Sequence, residues 1–253
     1  MHQCQDYINN HFISSGFSNA RVLQGAMSAR HQQAILSRLS RDAISYYYSS
    51  VVTFADALKG LNSGFYSWST VKLYYSVFYS IRSFLASNSI AIFYLTNRKG
   101  PYSINCRAGN FPTKLSGNTH AVVLESFSNF FPNHILLSQD IELTNPCEWL
   151  NGKRNRANYQ NAKFDEPNIP DHFEFILENT VRRSLSYYLK DDRHLYTFDK
   201  DHSMIAYPLQ LLKYSKTAIE EENQFCLEHP EHSFLKSLVK DNNGVIPEFS
   251  NIV

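Results

Sequence analysis

The stretch that decides the fold is SGFYSWSTVKLYYSVFYSIRSFLASN, residues 63–88. At about 100° per residue, its large apolar side chains cover most of the circumference of a helix and leave only a narrow polar stripe. Ser67 or Ser69 is suited to cap such a helix, which we expect to run to about Ala86. A helix with this much apolar surface is typical of the centre of a bundle.

Further helical patterns lie on both sides of this stretch. Apolar residues recur every three or four positions over residues 31–59, and Gly60 follows in the place of a C-terminal cap. A second pattern begins at Asn118 or Thr119 and ends at about Phe131, and a third covers residues 171–190. Between these two, Thr144 or Asn145 is expected to cap a helix with Pro146 at its first position. With the central stretch, these three patterns make four long helical patterns, which predict an all-α bundle.

The remaining segments differ in composition and predict the domain organisation. The run SIAIFYLTN, residues 89–97, has β-type composition and is followed by many turn formers. We therefore expect an irregular insertion with a short hairpin at about residues 88–117. Residues 1–40 are predicted as an N-terminal arm and helix start, and residues 41–190 as the helical bundle. Residues 191–253 are predicted as a mostly helical extension packed on that bundle.

Composition and charge exclude several classes of protein. The 253 residues carry 24 Lys and Arg against 23 Asp and Glu, a net charge of +1, so nucleic-acid binding must depend on a local basic patch. The four cysteines form no zinc-finger spacing. The start MHQCQDYINN does not read as a signal peptide and no apolar run is long enough for a bilayer. We expect a soluble, cytoplasmic protein without a membrane partner.

Known catalytic motifs are missing from the sequence. It contains no GxGxxG, GxxxxGK[ST], HExxH or GxSxG. These motifs carry dinucleotide binding, phosphate-loop chemistry, zinc proteolysis and serine hydrolysis, so the sequence supports none of those functions.

Three segments, taken in order, point to a family. They are SWSTVKLYYSVFYSIRSFLA at 67–86, GNTHAVVLESFSNFF at 117–131 and LNGKRNRANYQNAKFDEP at 150–167. The first resembles the central aromatic helix of the HEPN-like superfamily and the second resembles the helix that follows it. The third resembles the segment with the Arg-polar-x-x-x-His motif, in the subgroup where Tyr replaces His. The resemblance spans about residues 45–190.

The resemblance implies a HEPN-like helical bundle that forms a homodimer, with the arginine motifs of both subunits facing one cleft. Many members are metal-independent ribonucleases in toxin–antitoxin, antiviral defence and RNA-processing systems. Others are inactive and serve a partner protein such as an antitoxin or a nucleotidyltransferase. No cofactor and no metal are implied, so we expect any activity to survive a chelator.

The resemblance also implies site residues. Arg154 takes the arginine position, Asn155 the polar position and Tyr159 the position of the histidine. An arginine fork would stabilise charge on a phosphate, whereas a phenol with a pKa near 10 is a poor base that could still donate a proton, bond a phosphate or stack on a base. The neighbouring cations Lys153, Arg156 and Lys163 are candidate RNA-binding residues. Without the resemblance, the same segment would be interpreted as a basic helix end that complements the helix dipole.

Two further residues are possible supporting groups. Arg82 interrupts the apolar face of the 67–86 segment, either because its stem packs in the core while its head finds a partner, or because it points into a polar cavity. His120 lies on an apolar helix face, where a core role competes with that of the missing imidazole.

Three functional hypotheses remain. The leading one is a HEPN-like metal-independent ribonuclease or RNA-binding effector. The second is a catalytically silent HEPN-like module that binds a partner protein or a nucleotide. The third is a structural interaction protein whose tyrosine-rich helix forms an obligate interface.

Overall fold

The structure is a computed structural model that describes residues 2–13, 28–94, 100–222, 227–238, 240–241, 244–245, 249 and 252. The described part is mainly helical, with a small antiparallel sheet in the predicted insertion. The helices are α1 Gln3–Ile8, α2 Ala29–Asn62, α3 Tyr66–Ser87, α4 Thr119–Phe130, α5 Pro146–Asn155, α6 Asp171–Glu178, α7 Val181–Leu189, α8 Ser203–Glu221 and α9 His229–Leu238. No helix in these residues combines the length and the apolar character that crossing a bilayer requires.

The chain divides into two compact units, and neither is continuous in sequence. The first consists of Met1–Tyr46, Ile81–Phe131 and Thr217–Phe225. The second consists of Tyr47–Ser80, Pro132–Lys216 and Cys226–Val253. The long helices α2 and α3 therefore each contribute one part to one unit and the other part to the second.

In the first unit, aromatic side chains hold α4 against the last turns of α3. The Phe84 ring centroid lies 5.0 Å from that of Phe131 and 5.8 Å from that of Phe127. Asn118 caps α4 by accepting a hydrogen bond from the backbone of Ala121 at 3.0 Å, as the sequence predicts. The N-terminal arm was predicted to form a short helix, and α1 is that helix; residues 14–27 of the arm lie outside the described residues.

The insertion is more regular than expected. Its strands β1 Ile90–Tyr94, β2 Pro101–Asn105 and β3 Thr113–Lys114 form an antiparallel sheet in that order, so the predicted hairpin is present with a third strand added. The all-α expectation is therefore corrected to mainly helical. The free edge of β1 is covered by Gln5, whose side-chain amide exchanges hydrogen bonds of 2.8 and 2.9 Å with the backbone of Tyr94.

In the second unit, α2 and α3 meet along a row of buried serines. The Ser50 hydroxyl donates to the carbonyl of Ser76 at 2.7 Å and lies 2.6 Å from the Ser80 hydroxyl. Ser215 on α8 donates to the carbonyl of Ser80 at 2.9 Å. Small side chains let helix backbones approach closely. The buried hydroxyls form hydrogen bonds with one another and with nearby carbonyls, so these polar groups have partners in the interior.

The predicted ends of α2 and α3 are corrected. Gly60 does not end its helix, because α2 continues to Asn62. A Cβ atom at Gly60 would lie 2.5 Å from the Ser69 hydroxyl, so the missing side chain serves a close approach. Helix α3 begins at Tyr66, which places both expected cap serines inside its first turn.

The amphipathic segment at 171–190 is two helices rather than one. The chain turns at Thr180, whose φ of 68° and ψ of 140° do not belong to a helix. The Thr180 hydroxyl accepts a hydrogen bond from the backbone of Arg183, so this residue caps α7. The side chains of Phe173, Ile176, Leu185 and Tyr188 are nonetheless buried, as the periodicity predicts.

Much of the C-terminal segment is helical, as predicted, and most of it belongs to the second unit, except Thr217–Phe225, which belongs to the first. Helices α8 and α9 are followed by the short strand pair β4 Lys240–Asp241 and β5 Gly244–Val245. The Phe249 ring stacks on that of Phe54 with centroids 6.0 Å apart. The Tyr47 hydroxyl donates to the carbonyl of Ile252 at 2.6 Å.

Candidate functional site

Arg154, Asn155 and Tyr159 form one hydrogen-bonded cluster, referred to below as the Arg154 cluster. Arg154 Nη1 donates to Asn155 Oδ1 at 2.8 Å. Its Nη2 donates to the Tyr159 hydroxyl at 3.4 Å and to the hydroxyl of Tyr75, on α3, at 3.2 Å. The three residues that the family resemblance implies are thus brought together, and Tyr75 joins them.

Local sequence explains how the cluster is held. Asn145 caps α5, with its side chain accepting a backbone N–H at 3.0 Å, and Pro146 takes the first helical position, as predicted. In a regular α-helix a residue five positions after Arg154 would lie about 140° around the axis. Here α5 widens into a π-helical turn over Arg156–Gln160, and this wider turn returns Tyr159 to the side of the guanidinium.

Aromatic rings surround the guanidinium of Arg154. Its Cζ lies 5.0 Å from the ring centroid of Tyr159, 5.4 Å from that of Tyr74 and 5.6 Å from that of Tyr75. Burial raises the pKa of Tyr74 well above its ordinary value, so this phenol stays protonated and neutral. The rings stabilise the cation through their quadrupoles and add no negative charge.

No carboxylate among the described residues compensates the charge of Arg154. The residue is only 8% exposed, and within the described part of the chain no carboxylate lies within ion-pair distance of it. Its Nε is buried and has no hydrogen-bond acceptor. Burying a cation without an anion is costly, so the cluster has the character of a site in which an anionic ligand supplies the missing charge.

The three candidate RNA-binding cations line a single cleft beside the same helix. Lys153, Arg156 and Lys163 all border it, and its volume is about 340 Å³. Two carboxylates, those of Asp165 and Asp171, also border it, so the cations exceed the acids by one. We call this the cationic cleft. The arrangement favours a small or extended anionic ligand over a neutral one.

The three cations differ in the ion pairs and ring contacts that they form with other side chains. Lys153 lies 3.7 Å from Glu142 and 4.8 Å from the ring centroid of Trp149. The hydrogen bond from Trp149 and the charge of Lys153 together lower the pKa of Glu142 and outweigh the opposing effect of partial desolvation. Arg156 and Lys163 form no ion pair with any carboxylate in the described residues. These two side chains are therefore the ones available to a ligand.

The cleft also holds an imidazole that the sequence analysis did not select. His172, at the start of α6, lies with Nε2 3.0 Å from the Thr70 hydroxyl. Burial, with Lys153 and Arg156 adding to it, lowers the pKa of His172 to about 3, so the ring is neutral near neutral pH. The family motif has its histidine five residues after the arginine, which in this chain is the position of Tyr159. Pro167 and Pro170 mark a short loop between the basic segment and α6, and this loop was the sequence signal that His172 could lie near the basic segment.

The two supporting candidates belong to the first unit, whereas Arg154 belongs to the second. The Arg82 guanidinium lies 4.2 Å from the ring centroid of Tyr46 and donates to its hydroxyl. Together with Asp42 it borders a cavity of about 170 Å³. His120 is half-buried in the first turn of α4. Their supporting roles remain predictions.

No residue set in the described part of the chain is arranged for metal coordination, since no three His, Cys, Asp or Glu side chains gather there. Cys4, Cys106 and Cys147 are buried free thiols. Burial raises the pKa of each, so they stay protonated.

No family profile, curated protein or solved structure matches the chain. The Arg154 cluster and the cationic cleft are the features that bear on its function.

Proposed function

We propose that this chain is a HEPN-like, metal-independent ribonuclease or RNA-binding effector of a defence or toxin–antitoxin system. One observation carries the proposal. Arg154 is buried without a described carboxylate partner and forms hydrogen bonds with Asn155 and Tyr159. The neighbouring cations along the chain, Lys153, Arg156 and Lys163, line the cationic cleft. Phosphate is the anion that an arginine fork of this kind suits best.

The order of the helices supports the HEPN-like part of the proposal. The aromatic helix α3, the helix α4 and the basic helix α5 all form, in the order of the three segments that resemble the family. Arginine, asparagine and tyrosine of the third segment then meet in one cluster.

Arg154 would bind the scissile phosphate along one edge of its guanidinium. Nε has no acceptor, and Nη2, on the same edge, is held only by two tyrosine hydroxyls at 3.2 and 3.4 Å. A phosphate that replaces the Tyr159 hydroxyl would take both donors in a bidentate pair. Tyr159 is 68% exposed and can turn aside without opening the core. Asn155 keeps Nη1 in place during the exchange.

Cleavage then requires two proton transfers. The ribose 2′-oxygen attacks phosphorus and loses its proton, the bond to the 5′-oxygen breaks, and that oxygen gains a proton, which leaves a 2′,3′-cyclic phosphate. His172 is the imidazole of the cleft, and phosphates that neutralise Lys153 and Arg156 would reverse the smaller part of the lowering of its pKa, whose larger cause is burial. The Tyr75 and Tyr159 hydroxyls, 3.2 and 3.4 Å from Arg154 Nη2, are the phenolic proton donors beside Arg154.

The proposal includes a homodimer in which two Arg154 clusters face a shared cleft. Tyr159 is 68% exposed, so this side of the cluster is open to a second subunit. Light scattering at micromolar concentration should give twice the mass of the chain. A monomer under these conditions would contradict the shared cleft.

The decisive experiment measures cleavage of total RNA and tRNA by the purified chain in EDTA. We expect cleavage by wild type and a loss of about 100-fold or more in Arg154→Ala, because a transition-state charge contact is removed. Arg107→Ala, which removes an exposed arginine of the first unit, is the matched control and should cleave normally. Equal cleavage by Arg154→Ala, or loss of activity in the chelator, would contradict the proposal.

The second candidate is a silent module that binds RNA, a nucleotide or a partner protein such as an antitoxin or a nucleotidyltransferase. The observation that favours it is the phenol of Tyr159 where the family has an imidazole. RNA binding that depends on Arg154, with no cleavage by any form of the protein, would select this candidate.

A further inference from the structure

An exposed aromatic pair lies at the rim of the cationic cleft. Trp68, in the first turn of α3, is 46% exposed, and Phe164, in the loop before α6, is 49% exposed. Their ring centroids are 5.8 Å apart with the planes inclined at 68°. Phe164 also borders the cleft, directly after Lys163. Large exposed rings beside uncommitted cations are the two components of a surface that binds single-stranded nucleic acid.

The pair is held in place by a carboxylate clamp. Glu166 Oε1 accepts the backbone N–H of Ser67 at 2.8 Å, and its Oε2 accepts the Ser67 hydroxyl at 2.7 Å. The same hydroxyl accepts the backbone N–H of Asp165 at 3.2 Å. These bonds fix the loop that carries Phe164 to the helix start that carries Trp68. The platform is therefore ordered before a ligand arrives, which lowers the entropic cost of binding.

Charge at the cleft complements a sugar–phosphate chain. Arg156 and Lys163 form no ion pair in the described residues, whereas the Asp165 carboxylate already accepts a hydrogen bond from Asn161 at 3.1 Å. A phosphate at the two cations would place the adjoining base within reach of Phe164. In a duplex that base is stacked and paired, so its face is not available to the ring.

Building on the proposed function, we infer that the Trp68–Phe164 pair is a base-stacking subsite of the cationic cleft, through which the cleft distinguishes an unpaired base from a paired one. One unpaired base stacks on the Trp68–Phe164 pair while its flanking phosphates bind Arg156 and Lys163. Duplex RNA offers the same phosphates but no free base face, so it lacks the contribution of the platform.

Tryptophan fluorescence tests this inference directly. The chain has two tryptophans, and Trp149 is 6% exposed and hydrogen-bonded to Glu142, so Trp68 is the residue that a ligand can reach. We would titrate the full chain with 2′-O-methyl oligouridine, which cannot be cleaved through its 2′-oxygen, and with a matched perfect duplex. The single strand should quench the fluorescence of wild type, and the quenching should be absent in Trp68→Phe.

Affinity measurements with matched variants complete the test. Phe164→Ala should weaken single-strand binding by about tenfold and leave duplex binding unchanged. Phe234→Ala, which removes an exposed ring on α9, should change neither affinity. Lys163→Gln should weaken both ligands, because it removes a phosphate contact.

The outcomes separate this inference from the function on which it rests. Equal affinity of wild type for single strand and duplex, with no effect of Phe164→Ala, would overturn the inference and leave RNA binding standing. No binding of either RNA by wild type would overturn both.

Discussion

Each unit of the molecule contains an arginine packed on tyrosine, and the two arrangements differ in their charges. Arg82 lies over the ring of Tyr46 in the first unit, and Arg154 lies among three tyrosine rings in the second. Both donate to tyrosine hydroxyls. Arg82 is half-buried and shares its cavity with Asp42, whereas Arg154 is almost fully buried and no described carboxylate pairs with it.

This difference indicates that Arg82 is arranged for stability and Arg154 for a ligand. A half-buried cation near a carboxylate and a phenol has partners supplied by the fold. A buried cation whose Nε has no acceptor has an energetic cost that the described residues do not offset. Sites with such uncompensated groups are where function is expected.

The largest difference between the two arginines should appear when each is replaced by lysine, which keeps the positive charge and removes the planar guanidinium. Arg154→Lys should lower RNA cleavage by about 100-fold, because an ammonium cannot make the bidentate contact with phosphate. Arg82→Lys should cleave within about twofold of wild type. Initial rates with one tRNA substrate measure both, and similar losses in the two variants would remove the distinction between the arginines.

For the free energy of unfolding we expect the opposite order, with the larger loss at Arg82. Arg82→Met should lower the free energy of unfolding by about 2 kcal/mol, since it removes a cation–π contact and a charged hydrogen bond. Arg154→Met should leave it unchanged or raise it, because an apolar side chain replaces an uncompensated buried charge. Urea denaturation followed by circular dichroism gives both values. A larger loss for Arg154→Met would assign that residue to stability instead.

Each unit also has a carboxylate that binds the backbone of a helix start. Asp42 accepts the N–H groups of Gln3 and Cys4 at 2.8 and 2.9 Å, and Glu166 accepts that of Ser67. Glu166→Gln should cost about 1 kcal/mol of stability. It should also weaken single-strand RNA binding, because the aromatic platform loosens. Asp42→Asn, the matched control, should cost similar stability without changing RNA affinity.

Acid should weaken the Glu166 clamp. Burial raises the pKa of Glu166, but the hydrogen bonds from Ser67 outweigh it and the net pKa is lowered. A lowered carboxyl pKa means that the stabilisation is present above the ordinary value and is lost as the pH falls through the lowered one, below about pH 4. The difference in unfolding free energy between wild type and Glu166→Gln should shrink there, and a constant difference would contradict this assignment.

The smallest expected effect concerns His172. Its pKa of about 3 in the folded protein lies below that of an unfolded histidine, near 6.5. As the pH falls from 7 to 6 the unfolded state therefore binds protons at this histidine that the folded state does not, and stability decreases. His172→Gln should remove this part of the decrease, which proton linkage puts at less than about 1 kcal/mol over that interval. Identical pH profiles would contradict the lowered pKa.

The sequence predicted the elements that depend on local periodicity and capping. The helices α3, α4 and α5 are present, and Asn118 and Asn145 cap the last two, each being one of the two residues expected there. Most of the apolar stripe of 171–190 is buried. These features are determined within one or two helical turns, so a single sequence suffices. The grouping of Arg154, Asn155 and Tyr159 was expected only from the family resemblance, because residues five positions apart lie on different sides of a regular α-helix.

The features that the sequence analysis missed depend on contacts between distant residues. Gly60 was expected to end a helix, yet its role is to admit Ser69 at close range. The start of α3 is capped by Glu166, about a hundred residues later, and not by its own serines. His172 borders the cleft because the loop after the basic segment brings the start of α6 to it. Periodicity carries no information on such pairings.

The row of serines between α2 and α3 has a consequence for how this protein tolerates mutation. Because Ser50, Ser76 and Ser80 lie in van der Waals proximity inside the second unit, volume limits these positions more strictly than polarity does. A deep mutational scan should therefore accept alanine there and reject valine and leucine. Residues that a hydropathy plot assigns to the surface would thus emerge among the most selective positions of the chain.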